Sequence, residues 1–226
     1  MNFVSKAQVV EIVTHHEDIR EYTFKLDKEQ KYSPGSFVQL TLDLVSASDI
    51  WPESRTFSIA SYQKGFMRFI IKNAGAYTNR IFEELGVGSF CTVKYPFGDL
   101  FNKSTVDEKH VLIAGGIGIT PYLAIVEYFT SVGKLENIHL MYSTKYKGEL
   151  LHLNQLKEML GNNLHVYITR EKTEDYINRR ITVEDLRKLA DQSANIYVCG
   201  SKIFNAEFKI KLGENGYNKI HMDEWE

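Results

Sequence analysis

The sequence predicts a small antiparallel β barrel of six strands, followed by an α/β domain on a five-stranded parallel sheet. Three observations carry this. Short strand-like segments broken by turns fill the first hundred or so residues, strands alternate with helices after Asp107, and a polar stretch at Asn102–Asp107 separates the two rhythms. The expected domains are 1–103 and 104–226. The composition suits a folded globular chain: of 226 residues, 43% are apolar and 25% charged. No apolar run approaches the ~18 residues that a membrane helix needs. Met1–Lys6 lacks the basic-then-apolar layout of a secretion signal. A formal net charge of −2 speaks against nucleic acid held by bulk charge. The two cysteines, Cys91 and Cys199, cannot build a disulfide framework or a four-thiolate cluster by themselves. A reduced, cytoplasmic location is the expectation.

In the first part, Tyr22, Phe24 and Leu26 alternate with polar residues, as do Val38, Leu40, Leu42 and Leu44. Arg55–Ser61, Phe66–Lys72 and Ser89–Tyr95 are further strands, and Thr78–Leu85 is a helical interruption. In the second part, strands are expected at His110–Ala114, Ile138–Ser143, Leu164–Thr169, Asn195–Cys199 and Lys219–Asp223. Helices are expected at Ile119–Ser131, Leu150–Leu160, Thr182–Asp191 and Ser201–Leu212, with Thr182 and Asp185 as a reciprocal cap.

Gly115-Gly116-Ile117-Gly118-Ile119-Thr120-Pro121 follows a strand and opens a helix. Such a turn lets backbone approach a pyrophosphate, and the helix start adds amide donors. Pro121 replaces the usual third glycine and suits a first helical turn. By itself the turn reads equally as a tight connection with no ligand. Ser143, Thr144 and Lys145 stand where an acid commonly holds a ribose hydroxyl, which argues against a plain NAD dehydrogenase.

Four pieces then line up in order: Arg55-Thr56-Phe57-Ser58, the glycine turn, Cys199-Gly200, and His221-Met222-Asp223-Glu224-Trp225. Together they resemble the ferredoxin–NADP reductase family of flavoproteins, including its short flavin-reductase-like members, over essentially the whole chain. The resemblance implies a flavin-binding barrel followed by a nicotinamide-binding domain. It implies that Arg55 contacts flavin phosphate, that Phe57 stacks on the isoalloxazine where the family usually has tyrosine, and that Ser58 bonds near the hydride-accepting nitrogen. Thr56 belongs to the same motif. Ile70, Ile71 and Lys72 would offer backbone to the ring edge, and Gly75, Ala76, Tyr77, Thr78 and Asn79 would hold phosphate at a helix start. Pro34–Phe37 and Pro96–Phe101 match turns of the barrel. Gly116, Gly118, Thr120 and Pro121 would cradle the nicotinamide cofactor's pyrophosphate. Thr169 and Arg170 resemble a pair that reads a ribose 2′-phosphate, a lean towards NADPH over NADH. Cys199, with Gly200, would lie beside the reacting nicotinamide. Trp225 would cover the flavin, although Glu226 follows it, and Asp223 stands where the family has a glutamate that relays protons.

The implied activity is an FAD-dependent reductase, with FAD favoured over FMN. It would take hydride from NADPH or NADH and pass electrons to a ferredoxin, a flavodoxin or free flavin. The protein's share of that chemistry is binding, stacking and excluding water. Two alternatives stay open: a reductase subunit of a multicomponent oxygenase or metabolic complex, and a non-catalytic flavin- or nucleotide-binding redox sensor. Taken singly, each residue has a plainer reading: Arg55 and Arg170 as solvated charges, Phe57 as core, Ser58 as a backbone-bonded hydroxyl, Thr78-Asn79 as a cap, Cys199 as a small hydrophobe, and Trp225 as a pinned terminal aromatic. His15 and His16 should point to opposite faces of a strand, with no carboxylate at hand to complete a metal site. Lys145–Lys147 and Arg179–Arg180 read as solvated faces, with Arg179 or Arg180 also able to reach a cofactor phosphate. Oligomeric state is not legible.

Overall fold

A computed structural model describes residues 2–28, 31–61 and 65–222. Two compact units emerge, one running to Phe101 and including Leu123–Ile125, the other formed by Asn102–Tyr122 and the chain from Val126.

The first unit holds strands β1 (Phe3–His16), β2 (Ile19–Leu26), β3 (Phe37–Thr41), β4 (Arg55–Ser58), β5 (Phe66–Lys72) and β6 (Phe90–Phe97), with helix α1 (Ala76–Glu84) between the last two. Their order in the sheet is β4-β3-β6-β1-β2-β5, all antiparallel. The two end strands come together as the sheet rolls up: the Ala60 N–H donates to the Arg68 carbonyl at 2.8 Å, and Arg68 Nη2 donates to the Ala60 carbonyl at 3.2 Å. This is the expected barrel. Alternate residues of each strand fill it, with Val9, Tyr22, Phe24, Leu40, Phe69 and Val93 fully buried. Ile81 of α1 plugs the same core.

Some boundaries differ from expectation. β3 stops at Thr41, and Leu44 is 59% exposed. The Thr41 hydroxyl accepts the Asp43 N–H at 3.2 Å, which turns the chain out of the sheet although the apolar alternation continues. β4 ends at Ser58; beyond it the Ile59 N–H adds one further rung to Ser36 at 3.0 Å, and the Ala60 N–H turns to Arg68. The strict alternation assumed for His15 and His16 also fails, because an irregularity in register falls between Thr14 and His16. His15 does have a carboxylate beside it: its Nε2 lies 2.8 Å from Glu21, which Arg68 reaches at 3.2 Å.

The second unit carries a parallel sheet of β7 (His110–Gly115), β8 (Ile138–Thr144), β9 (Leu164–Ile168), β10 (Asn195–Cys199) and β11 (Ile220–Met222), ordered β11-β10-β7-β8-β9. Its helices are α2 (Thr120–Ser131), α3 (Leu153–Leu160), α4 (Val183–Arg187) and α5 (Lys202–Glu214). The central strands β7, β8 and β10 are buried on both faces, as the inner strands of a parallel sheet are. The edge of β9 is partly covered by Ile177, which accepts from the Ile168 N–H at 2.9 Å and donates to Val166 at 3.1 Å. α4 is shorter than expected because it breaks into turns after Arg187, where Lys188 bonds back to Asp185 and Leu189 to Leu186. Its start is as read from the sequence: the Thr182 hydroxyl accepts the Asp185 N–H, and Asp185 accepts the Thr182 N–H. No described helix is long and apolar enough to cross a membrane.

Candidate functional site

On the first unit, polar groups without partners gather around β4, β5 and α1. β4 pairs through its whole length with β3 alone. Phe57 is half-buried and packs on the barrel core, leaving part of its ring outside. The Ser58 hydroxyl makes no hydrogen bond with any described residue, so it is not a backbone-bonded strand hydroxyl. Arg55 and Thr56 are exposed.

On β5 the pairing phase decides which main-chain groups are open. The Arg68 carbonyl points outward to Ala60, whereas the Asn73 N–H points inward to Asp18 at 2.7 Å. Ile70 and Lys72 share the phase of Arg68 and present their N–H and C=O at the open edge, while Ile71 is spent on β2 opposite Arg20. Of the three residues expected to offer backbone, Ile71 therefore does not. The Ile71 side chain is buried in the barrel core, that of Ile70 is buried on the other face of the strand, and Lys72 Nζ lies 3.2 Å from Asp18.

α1 starts at Gly75 with an open approach, since a Cβ there would meet nothing within 4 Å. The Thr78 hydroxyl accepts the N–H groups of Ala74 (2.9 Å) and Gly75 (3.0 Å), so it closes the turn and is not free to hold a phosphate itself. The first-turn N–H groups of Ala76, Tyr77 and Thr78 are left over, as in any helix start, and favour an anion. Asn79 instead donates to Glu83 at 2.8 Å. Tyr77 is buried, with Arg55 over its ring at 4.8 Å and Arg80 at 5.8 Å. Arg55 and Arg80 both reach Glu53. Sequence reasoning missed Arg80 and Glu53: Glu53 stands two residues before Arg55, where its spacing was the available signal, whereas Arg80 is brought to the pair only by the fold.

On the second unit, the glycine turn is packed by its own chain. A Cβ on Gly118 would sit 2.1 Å from the Cys199 carbonyl oxygen and 2.9 Å from the Gly200 nitrogen, which only glycine permits. Gly115 and Gly200 both abut the ring of Phe204, at 3.1 and 2.5 Å from where a Cβ would lie. Phe204 is a third residue that sequence reasoning missed; an aromatic one turn beyond Cys199-Gly200 was the available signal. Gly118 is thus buried against Cys199, and Gly116, at φ +56° with nothing within 4 Å, is the glycine open to a ligand. The Thr120 hydroxyl donates to the Ile117 carbonyl at 2.7 Å and tightens the turn, and Pro121 sits in the first turn of α2. Cys199 is buried at the end of β10.

Thr169 and Arg170 extend β9, their N–H groups bonded to the carbonyls of Thr144 (3.0 Å) and Lys145 (2.9 Å). Arg170 is exposed and its guanidinium makes no ion pair with a described residue. Arg179 is not available for a phosphate. It grips the buried Asp185 with two bonds of 2.5 and 2.6 Å, and holds that carboxyl far below the usual range. Arg180 Nη1 lies 3.6 Å from Glu207. Asp223 and Trp225 lie outside the described residues.

The oxidoreductase FAD-binding domain family matches residues 6–101, and the oxidoreductase NAD-binding domain family matches residues 112–209. The ferredoxin–NAD(P)(+) reductase component of the naphthalene 1,2-dioxygenase/salicylate 5-hydroxylase systems of a Ralstonia species is 30% identical, over 97% of this chain and 68% of that one. This chain belongs to the ferredoxin–NADP reductase family of flavoproteins. A flavohemoprotein of Candida norvegensis is 28% identical over 96% of this chain, which spans only 56% of that protein's length. A ferredoxin NADP+ reductase of Neisseria gonorrhoeae, solved with bound FAD and NADP, shares the fold with a TM-score of 0.80 at 16% identity, covering 98% of each chain. The chain therefore carries an FAD-binding and an NAD-binding domain. Among the described residues the first unit offers groups that fit a flavin: the Ser58 hydroxyl, the half-buried Phe57 ring, the outer edge of β5, the start of α1 and the Arg55 guanidinium.

Proposed function

We propose that this chain is an NAD(P)H-dependent flavoprotein reductase, with lobes 1–103 and 104–226, that passes electrons from a nicotinamide cofactor through FAD to a further acceptor. The unpartnered Ser58 hydroxyl, on a strand whose outer edge is open, is the observation that carries the flavin half. FAD, when bound, supplies the hydride-accepting ring. The chain's residues bind and orient it. Phe57 offers a ring face, Ser58 a hydrogen bond, and Ile70 and Lys72 a main-chain edge. Arg55 and the first-turn amides of α1 hold phosphate. In the second unit Gly116, the start of α2 and Pro121 hold the nicotinamide cofactor's pyrophosphate. From the family resemblance, Arg170 takes the far ribose, where its fork suits a 2′-phosphate. From the family resemblance, Trp225 covers the flavin and Asp223 handles its proton.

The acceptor is proposed to be a redox protein with its own centre. The name of the Ralstonia relative favours an oxygenase component as that acceptor; free flavin is the second reading. The proposed location is cytoplasmic. The visible spectrum of the purified protein, followed by anaerobic titration with NADH and NADPH, tests flavin binding and its reduction by the nucleotide. Flavin bands that bleach on adding either nucleotide are expected. A protein that neither carries nor takes up flavin would end the proposal.

A further inference from the structure

Three charged side chains on the first unit form a cluster that the flavin reading uses only in part. Arg55 Nη2 lies 3.2 Å from Glu53 Oε1, and Arg80 Nη1 lies 3.7 Å from Glu53 Oε2, so one carboxylate bridges two guanidiniums. Both guanidiniums also stand over the ring of Tyr77. That ring cannot swing aside. Its hydroxyl accepts the Leu42 N–H at 3.3 Å and lies 3.1 and 3.2 Å from the carbonyl oxygens of Leu40 and Glu53. Tyr77 therefore anchors the main chain of Glu53 and gives both arginines a fixed platform. From behind, Glu84 holds Arg80 Nε at 2.8 Å, one helical turn along α1.

The Arg55, Glu53 and Arg80 side chains are 52%, 59% and 46% exposed, so water screens their ion pairs and a stronger anion can take them over. A phosphate is such an anion: it carries more acceptor oxygens than a carboxylate and is gripped by paired guanidinium bonds. We propose that Arg80 is a second phosphate-binding residue beside Arg55, and that Glu53 is a built-in competitor which occupies both until the diphosphate of FAD displaces it. This rests on the flavin reading and deepens it. FAD brings two phosphates to two guanidiniums, FMN one and riboflavin none, so the cluster selects flavins by phosphate content and Glu53 sets how tightly FAD is kept.

The test is titration of the flavin-free full-length protein with FAD and with riboflavin, followed by flavin fluorescence. In Arg80→Gln the ratio of FAD to riboflavin affinity falls about tenfold, the scale of one lost charge-assisted bond. Arg80→Lys, which keeps the charge without the fork, recovers part of that loss. In Glu53→Gln the same ratio rises several-fold, and the gain shrinks at high salt. Thermal unfolding checks that each variant is folded. Normal FAD affinity in both Arg80→Gln and Glu53→Gln, or equal losses for FAD and riboflavin, would overturn this proposal alone. A wild-type protein that binds neither flavin would overturn the flavin reading as well.

Discussion

Gly116 and Gly118 are glycines for different reasons, and the difference is measurable. Gly118→Ala drives a methyl into the Cys199 carbonyl, a backbone atom with nowhere to go, and should cost about 3 kcal/mol together with most nucleotide affinity. Gly116→Ala meets no atom and pays only for its positive φ, about 1–2 kcal/mol. Thermal unfolding and NAD(P)H titration of the two variants check the ranking; equal effects would mean that the Cys199 contact is not tight. The motif was legible in the sequence, but the reason for Gly118 was not, because Cys199 reaches it only through the pairing of β10 with β7. Asp185 illustrates the reverse. Its cap on Thr182 is readable from spacing, yet the partner that dominates its charge, Arg179, reads from sequence as a solvated or cofactor-binding group. The Arg179 guanidinium, against the opposing pull of burial and helped by Thr182, keeps the folded-state pKa of Asp185 below its unfolded value of about 3.9. Its stabilisation is therefore complete above that pH and is lost as pH falls below it. Asp185→Asn should flatten the fall in melting temperature between about pH 5 and pH 2 relative to wild type; parallel curves would contradict the assignment.

β5 carries the clearest prediction at the scale of an element. Its phase leaves the amides of Ile70 and Lys72 at the open edge and spends that of Ile71 on β2. Hydrogen exchange should find Ile71 slow with or without FAD, and Ile70 and Lys72 fast without it and slowed when it is added. Uniform exchange along β5 would place the flavin elsewhere. The same strand closes the barrel through Arg68, which ties the Ala60 carbonyl to the buried Glu21 carboxylate. Arg68→Met leaves the buried Glu21 carboxylate with His15 but without its guanidinium partner and should cost about 2 kcal/mol, read as a lower urea midpoint. The sequence showed β5 as a run of apolar residues and could not show which edge stayed open, since phase is a property of the pair. β3 and His15 mark the same limit: apolar alternation ran past Thr41 where a hydroxyl turns the chain, and ran through a break in register that alternation cannot anticipate.

For the whole molecule, two units imply two separable ligand effects. FAD at about one hundred times its dissociation constant should add about 2.7 kcal/mol to the first unit, with new exchange protection at Arg55–Ser58, β5 and the start of α1. A nicotinamide nucleotide should protect Gly115–Pro121 and Cys199-Gly200 instead. Protection by either ligand spread evenly over both units would argue against this division of labour. The sequence by itself determined the order of strands and helices, the change of rhythm near residue 102, and the four motifs that resemble a reductase of flavins. These are local properties, written in apolar period, turn residues and short spacings. Only the tertiary structure decided that Arg179 serves Asp185, that Gly118 serves Cys199, that Phe204 backs two glycines, and that Glu53 sits between Arg55 and Arg80. Each of those depends on groups from separate segments meeting across strand pairs and loops, and a charge, a hydroxyl or a missing Cβ takes its role from whatever packing sets against it.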